Sequence, residues 1–249
     1  MAPALVCLPT YNEAENIEAV LDRVFAADPS LRVLVVDDGS PDGTADLVDR
    51  RADPRVRVLR RAGRLGLGTA YLAAFRDGLE AGHTHFVTMD CDLSHAPERI
   101  PALVAAVDGG ADLAIGSRYV PGGAIRGWGA HRRVLSFGAN TFARTWLGIS
   151  AHDVTSGFRC YRRRAVEMLV GAPVRAHGYS TLVELLVRCQ RAGMSVAEVP
   201  IEFVDRVHGA SKMSWREMVD GVTSVVTLGS ALRSESRTQP TATEGGRSR

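Results

Sequence analysis

The stretch His85-Phe86-Val87-Thr88-Met89-Asp90-Cys91-Asp92 places two carboxylates directly after an apolar run. The apolar run is typical of a buried β-strand, and Pro97 stands where a helix would begin. Asp90 and Asp92 can bind one hard cation together, because Mg²⁺ is commonly held by one or two carboxylates plus substrate phosphates. An Asx-type turn that caps the next helix is the alternative interpretation of these residues.

Two other predicted strands also end in polar loops. Residues 32–36 lead into Asp37-Asp38-Gly39-Ser40-Pro41-Asp42-Gly43-Thr44, and residues 4–8 lead into Pro9-Thr10-Tyr11-Asn12-Glu13. Either Asp42 or Thr44 could cap the helix that follows the first of these loops. Open α/β sheets bind ligands at the carboxyl ends of their strands. Three such loops in one chain therefore favour a binding site over three unrelated turns.

The chain as a whole alternates between strand-like and helix-like segments. Strands are predicted near 4–8, 32–37, 55–60, 85–90 and 112–116, and helices near 13–27, 43–52, 67–81 and 97–107. This alternation indicates an α/β fold, a doubly wound and mainly parallel sheet with flanking helices. A nicotinamide-binding Rossmann domain is disfavoured. The glycine-rich run 63–71 follows a later strand, and Tyr71 stands where the G-x-G-x-x-G pattern requires glycine.

Length and composition narrow the class of protein. The 249 residues suffice for one large domain, which we place at 1–233, followed by a polar tail at 234–249 that is predicted to be disordered. A net charge of +2 argues against a nucleic-acid partner. The four cysteines are scattered, which is typical of a reducing compartment. We expect neither a signal peptide nor a transmembrane helix, since the uncharged run 221–232 is shorter than the roughly 20 residues that span a bilayer.

The C-terminal half predicts two amphipathic helices. One runs from about Ala130 to Leu147, with Leu135, Phe142 and Trp146 on one side at helical spacing. It could pack on the sheet, or it could lie in a membrane interface with its arginines near lipid phosphates. The second has an apolar stripe over 215–232 that could pack on the domain, dock on a membrane or bind a membrane partner.

Taken together, these motifs identify a family resemblance. The chain resembles the dolichol-phosphate (polyprenol-phosphate) mannose synthases, inverting glycosyltransferases of family 2 with the GT-A fold. The matching segments are 9–13, 36–44, 66–71, 89–95, Gly116-Ser117-Arg118-Tyr119-Val120, Asp153 with Thr155-Ser156-Gly157-Phe158-Arg159, and Arg206 with Gly209-Ala210-Ser211-Lys212. Cys91 departs from the pattern, because the family usually has alanine there, and we expect altered sensitivity to oxidation as its consequence.

The resemblance implies that GDP-mannose donates mannose to a polyprenyl monophosphate. Asp90 and Asp92 would hold Mg²⁺ or Mn²⁺, and Arg206 and Lys212, the only lysine in the chain, would close over the donor phosphates. The family's remaining nucleotide-sugar positions correspond here to Pro9, Tyr11, Glu13, Val36, Asp38 and the Cys91 main chain. A helix-start carboxylate is the alternative role for Glu13.

For the acceptor, the resemblance implies that Arg118, Arg132 and Ser136 orient the lipid phosphate, with Asp92 also assigned to catalysis. A solvated charged face is the alternative for Arg132. We expect an enzyme at the cytoplasmic face of a membrane, held peripherally and possibly by a separate anchor subunit. Two alternatives stay open: a transferase that uses UDP-glucose or another nucleotide sugar, and a nucleotide-sugar-binding subunit without turnover.

Overall fold

Strands and helices alternate in the computed structural model, which describes residues 3–176, 178, 180–205, 223 and 225–230. The strands within these residues are β1 (Leu5–Thr10), β2 (Arg32–Asp37), β3 (Val56–Arg60), β4 (His85–Thr88), β5 (Leu113–Ser117), β6 (Ala124–Arg126), β7 (Arg159–Arg162), β8 (Val196–Pro200) and β9 (Glu202–Val204). The helices are α1 (Ile17–Ala27), α2 (Thr44–Arg51), α3 (Leu67–Glu80), α4 (Ile100–Asp108), α5 (Ala130–Leu147), α6 (Arg163–Val170) and α7 (Ser180–Arg191). A short 3₁₀ turn, Pro97–Arg99, precedes α4.

The central sheet has the strand order β3-β2-β1-β4-β7-β5-β8 among the described residues. β1 pairs in parallel with β2 and with β4, whereas β7 runs antiparallel to both β4 and β5. The predicted α/β class and mainly parallel sheet are confirmed, and β7 is a reversal that the sequence did not indicate. Because parallel strands end at the same edge, the loops that follow β1, β2 and β4 converge.

Helices cover both faces of this sheet, and β1 shows how its side chains divide between them. Leu5 and Cys7 belong to the core that includes α3, whereas Val6 and Leu8 belong to the core that includes α1. Burial of one aliphatic side chain contributes about 1.5–3 kcal/mol. A slip of one residue would exchange the two faces, so the burial pattern fixes the register that aligns the strand ends.

The loop after β1 is longer than the sequence predicted. The first helix begins at Ile17 rather than near residue 13, because the amide of Ala14 donates to Asp42 Oδ2 at 3.0 Å instead of entering a helix. The capping prediction for α2 is wrong in detail. Gly43, with φ of 82°, occupies the N-cap position, and Asp42 Oδ1 accepts the amide (3.0 Å) and hydroxyl (2.6 Å) of Thr44.

The predicted helix 130–147 is present as α5. Part of the second predicted helix is described: residues 225–230 are helical, Val225 is buried, and Gly229 packs directly against Trp146 and Leu147 of α5. This part packs on the domain. The rest of the predicted stripe and the tail 234–249 lie outside the described residues, so the boundary near 233 stays a prediction. Among the helices the structure describes, none is both long and apolar enough to cross a membrane.

Candidate functional site

The ends of β1 and β2 are tied together by a carboxylate at the sheet edge. Asp37 Oδ2 accepts the hydroxyl of Thr10 at 2.9 Å, and the two oxygens of Asp37 accept the hydroxyl and amide of Ser40 at 2.5 and 2.9 Å. The Ser40 hydroxyl in turn accepts the amide of Asn12 at 3.0 Å. Asp37 is therefore a structural residue that holds the two predicted donor-binding loops side by side.

The residues predicted to line a nucleotide pocket lie along these two strand ends. Pro9 and Val36 are direct partners in the β1–β2 register. Asp38 follows one residue after β2; its Oδ2 accepts the amide of Leu65 at 3.2 Å, and its Oδ1 lies 3.2 Å from Arg61 Nη1. Burial raises the pKa of Asp38 above its ordinary value, and the neighbouring Arg61 charge opposes that rise.

The loop between β3 and α3 contributes two residues that the sequence analysis did not assign to the site. Arg61 pairs with Asp38, and the guanidinium of Arg64 lies over the Tyr11 ring at 4.5 Å from its centroid. The glycine-rich run 63–71 was considered as a poor Rossmann motif, and its part 66–71 as a segment of the family resemblance, but no site role was assigned to Arg61 or Arg64. The position of this run after the strand next to β2 was the signal that could have placed it here.

The two aspartates after β4 differ in their surroundings. Asp92 is 5% exposed, and its Oδ1 accepts the amide of Ser94 at 3.1 Å and its hydroxyl at 2.5 Å. Asp92 therefore forms an Asx-type turn, but this turn does not cap the next helical element: the 3₁₀ turn Pro97–Arg99 has Ala96 at its N-cap and no side-chain cap hydrogen bond. The Asp90 side chain is 32% exposed. Its amide donates to Nδ1 of buried His95 at 3.2 Å, and burial lowers the pKa of that imidazole, which favours its neutral form.

Glu13 and Cys91 connect the first loop to this aspartate pair. Glu13 accepts the side-chain amide of Asn16 at 2.9 Å, and it lies outside α1, so it is not a first-turn carboxylate of that helix. Cys91 is buried; burial, and then the charge of Glu13, raise the pKa of its thiol well above the ordinary value. A thiol in this environment is protonated and unreactive, which argues against the expected sensitivity to oxidation.

The aspartate pair fits a divalent cation that binds together with phosphates. Among the described residues, no three His, Cys, Asp or Glu side chains form a metal-binding group. Asp90 and Asp92 alone would leave most coordination positions to phosphate oxygens and water, as Mg²⁺ and Mn²⁺ accept. Space exists beside Asp90, because Gly157 has no side chain and a Cβ there would lie 3.6 Å from Asp90 Oδ1.

Arg118, which is predicted to orient the acceptor phosphate, forms an ion pair with Asp153. Its Nε and Nη2 donate to the two oxygens of Asp153 at 2.7 and 2.8 Å, and Nη2 also donates to Thr155 Oγ1 at 2.8 Å. The Asp153 side chain is fully buried, and the Arg118 and Asp153 charges stabilise each other, so the pKa of Asp153 is lowered although burial acts in the opposite direction. Paired charges of this kind fix geometry strongly, since loss of either partner leaves a buried charge alone.

Arg132 and Ser136 lie on α5 and face the same region as Arg118. Arg132 Nη1 donates to Asp205 at 3.0 Å, and its guanidinium lies 4.1 Å from the centroid of the Trp128 ring. The Ser136 hydroxyl is 2.9 Å from the Tyr119 hydroxyl, one residue after Arg118. Arg132 is therefore held by an ion pair and an aromatic ring, unlike an arginine on a solvated face.

A row of aromatic rings joins the aspartate pair to these arginines. The His95 ring lies 5.6 Å from Phe203, and Phe203 lies 5.5 Å from Trp128, between centroids. The Arg118 guanidinium lies 5.4 Å from Phe203 and 5.9 Å from Trp128. The predicted metal and acceptor residues thus share one continuous wall. Arg206 and Lys212 lie outside the described residues.

The outer face of α5 is apolar and exposed. Val134, Leu135, Phe137 and Phe142 have relative exposures of 73%, 49%, 57% and 40%. Phe137 contacts the predicted acceptor residues indirectly, through an edge-on contact with the Tyr119 ring at 5.9 Å. This apolar surface therefore begins at the predicted acceptor site.

The chain is similar to several known proteins. Residues 5–169 match the family model for Glycosyl transferase family 2. Over 228 residues the chain is 50% identical to the polyprenol monophosphomannose synthase of Mycolicibacterium smegmatis, covering 90% of this chain and 86% of that protein. Over 233 residues it is 44% identical to the undecaprenyl-phosphate mannosyltransferase of Micrococcus luteus, covering 93% and 96% respectively.

Solved structures show the same fold at lower sequence identity. Glucosyl-3-phosphoglycerate synthase from Mycobacterium tuberculosis, in complex with Mn²⁺, UDP and its product, has a TM-score of 0.66 at 23% identity, over 93% of this chain and 80% of that one. The mannosyltransferase PcManGT from Pyrobaculum calidifontis, in complex with GDP-Man and Mn²⁺, has a TM-score of 0.60 at 20% identity, over 95% and 75%.

Proposed function

Because this chain belongs to glycosyl transferase family 2, we propose that it transfers mannose from GDP-mannose to a polyprenyl monophosphate, forming polyprenyl phosphomannose and GDP with inverted anomeric configuration. The chain is a glycosyltransferase, and the observation that carries the finer proposal is its 50% and 44% identity, over most of its length, to two proteins named for polyprenyl-phosphate mannose transfer. The fold is shared with solved structures that hold nucleotides or nucleotide sugars, and both of the structures described above also hold Mn²⁺.

On the donor side, Pro9, Val36 and Asp38 would line the base and ribose pocket, with Tyr11 and Glu13 beside them. Carboxylates accept paired N–H or hydroxyl donors, as a guanine edge or a ribose provides. The Cys91 main chain would lie alongside the sugar. Arg206 and Lys212 remain predicted contacts to the donor phosphates.

Asp90 and Asp92 would hold Mg²⁺ or Mn²⁺, which when bound neutralises charge on the leaving diphosphate. Asp92 is well suited to this role because Ser94 already fixes one of its oxygens. Asp90 is the more exposed of the two and would hold the cation from the side that is open to solvent.

On the acceptor side, Arg118, Arg132 and Ser136 would orient the lipid phosphate. The second pKa of a phosphate monoester is about 6, so the acceptor is already ionised near neutral pH and needs no general base. The protein has instead to hold the acceptor phosphate close to the donor diphosphate although both are anionic. The two arginines beside the aromatic rings, Arg118 and Arg132, favour this arrangement. The exposed apolar face of α5 would meet the membrane that contains the polyprenyl chain. We infer a peripheral location at the cytoplasmic face, where an anchor subunit could assist.

The direct test measures transfer of radiolabelled sugar to a short polyprenyl phosphate from GDP-mannose and, separately, from UDP-glucose. The reactions contain Mg²⁺ or Mn²⁺, with and without EDTA. We expect a mannolipid from GDP-mannose only, and its loss with EDTA. Label only from UDP-glucose would contradict the assignment of GDP-mannose as the donor. No product from either donor, even with added membranes, would contradict the proposed reaction.

A further inference from the structure

Arg159, the first residue of β7, is a fully buried arginine that forms no ion pair among the described residues. Its guanidinium instead donates to main-chain oxygens. Nε donates to Ser156 O at 2.7 Å, Nη1 to Leu182 O at 2.7 Å and Nη2 to Val154 O at 2.8 Å. Nη1 also donates to the Tyr161 hydroxyl at 3.3 Å.

Stability alone gives a poor reason for this residue. Removal of a charge from water is costly, and a well-packed apolar side chain of similar volume is often equally stable or more so. The three main-chain acceptors show what the charge achieves. Two of them, Val154 O and Ser156 O, lie in the loop 153–157, and the third, Leu182 O, is in α7. Arg159 thus fixes this loop against a helix behind the sheet.

The loop 153–157 carries the partner of Arg118. Asp153 accepts the amide of Arg118 at 3.0 Å as well as its guanidinium, and it also accepts the amide of Ser156 at 3.1 Å. At its other end the loop is tied to β4, because Gly157 O accepts the hydroxyl of Thr88 at 2.8 Å. Asp153 therefore belongs to a loop that Arg159 holds by two carbonyls, while Glu198 Oε1 accepts the Asp153 amide at 3.0 Å.

We propose that Arg159 is a positioning residue: by fixing the loop 153–157 it sets the place of Asp153 and, through Asp153, of Arg118. The role of Arg118 toward a lipid phosphate rests on the proposed function, whereas its fixation by Arg159 does not. Loss of the hydrogen bonds from the Arg159 guanidinium to the main-chain oxygens would let Asp153 and Arg118 shift together without breaking their ion pair. The acceptor site would be displaced, and the donor site at the ends of β1 and β2 would stay in place.

The test compares Arg159→Met with Arg162→Met. Arg162 is the matched control, since it lies on the same strand and donates to the main-chain oxygens of Ala111 and Val107. In the β4–β7 register, however, it lies opposite His85, at the end of β4 that is farther from the candidate site. Hydrogen exchange of the Arg118 and Ser156 amides reports the loop directly and needs no substrate. In Arg159→Met we expect exchange at these amides to be at least about tenfold faster, and in Arg162→Met to be unchanged.

Kinetics give the second measurement. We expect Arg159→Met to raise the KM for the lipid acceptor about tenfold or more while the KM for the donor stays within about threefold. A residue that only stabilises the fold would lower the melting temperature without separating the two constants. If the Met variant does not fold, Arg159→Lys replaces it, because lysine keeps the charge but cannot make the three guanidinium hydrogen bonds. We expect the same difference between the acceptor KM and the donor KM in that variant.

Unchanged exchange at both amides, or an equal rise in both KM values, would overturn the inference. The outcome is separable from that of the proposed function. If the wild-type protein transfers no mannose but exchange at the two amides accelerates only in Arg159→Met, the positioning of Arg118 is supported and the substrate assignment alone is wrong.

Discussion

At the scale of single residues, the candidate site contains one aspartate that is held in place and one that is accessible to solvent. Asp92 is buried and fixed by Ser94, whereas a third of the Asp90 side chain is open to solvent. A ligand that is already fixed loses little freedom when a cation and a diphosphate bind, which is the advantage of a preorganised site. We therefore expect the two aspartates to differ in the replacements that they tolerate.

We expect Asp92→Asn to lower kcat/KM by about a hundredfold or more, because an amide keeps the contact with Ser94 but has no charge for the cation. The melting temperature should stay close to that of wild type. Radiolabel transfer and thermal unfolding measure the two effects. Asp42→Asn is the control: this aspartate lies in the loop after β2 and accepts hydrogen bonds from Ala14 and Thr44, and the variant should keep activity within about fivefold. Activity of Asp92→Asn within about tenfold of wild type would exclude it as a cation ligand.

Arg61 supports a second prediction at this scale. Burial raises the pKa of Asp38, and the Arg61 charge opposes this, so Arg61→Met should raise that pKa further. Donor binding that requires the Asp38 carboxylate is lost as pH falls through its pKa. The loss should therefore begin at a higher pH in the variant than in wild type. The measurement is donor KM against pH, with Arg60→Met, a surface arginine paired with Asp46, as the control that leaves the profile unchanged. Identical profiles for the wild type and Arg61→Met would contradict a donor role for Asp38.

At the scale of elements, α5 has an exposed apolar surface that packing within the fold does not account for. Its buried residues are Asn140 and Ala143, and its outer face has large exposed apolar side chains. In the proposed peripheral location, lipid contact would give these side chains an apolar environment, and exposed Arg133 would be able to meet anionic headgroups.

We expect Val134→Ser combined with Phe142→Ser to weaken binding to anionic vesicles several-fold and to raise the KM for the polyprenyl acceptor. Because both side chains are exposed in the fold, the melting temperature should fall by no more than a few degrees. Vesicle co-sedimentation measures the binding, and Thr141→Ala, an exposed change on the same helix, is the control. Vesicle binding equal to wild type would exclude this face as the membrane contact.

The elements also show which features the sequence could predict. α5 was predicted with its bounds because its apolar residues repeat at helical spacing, and the strand ends were predicted because each follows an apolar run. β7 was missed because its apolar core is only Cys160-Tyr161, between polar residues and a run of arginines. Arg61 and Arg64 were missed because their place in the site depends on β3 lying beside β2, a tertiary fact that local pattern does not contain.

At the scale of the whole molecule, the candidate site and a cluster of stabilising contacts lie at opposite edges of one sheet. The strand ends of β1, β2 and β4 carry the candidate site, where carboxylates and arginines are kept close and partly open. At the other edge, Asp112 ties three elements together: its two oxygens accept hydrogen bonds from Nε and Nη2 of Arg164 in α6, and Oδ2 also accepts the amide (2.9 Å) and hydroxyl (3.0 Å) of Ser195, which precedes β8. Because these contacts lie away from the candidate site, they can stabilise the fold strongly without restricting the residues of that site.

This opposite edge gives a prediction for acid stability. The hydrogen bonds from Arg164, followed by those from Ser195, lower the pKa of Asp112 to about 2, although burial opposes them. The ordinary value in an unfolded chain is about 3.9. A carboxyl whose pKa is depressed by folding stabilises the native state above the unfolded pKa, and this contribution is lost as pH falls toward the folded pKa.

We therefore expect Asp112→Asn to lower the free energy of unfolding at pH 7 by about 1 kcal/mol, a modest value because Arg164 is largely exposed and its charge is screened. The difference between the variant and wild type should shrink by about half at pH 3, where the unfolded wild-type carboxyl is mostly protonated. Urea unfolding at the two pH values measures it. Asp22→Asn, which removes a surface pair with Arg51, is the control and should change little at either pH. A difference for Asp112→Asn that is the same at pH 3 and pH 7 would mean that shape and hydrogen bonding, rather than charge, hold this edge together.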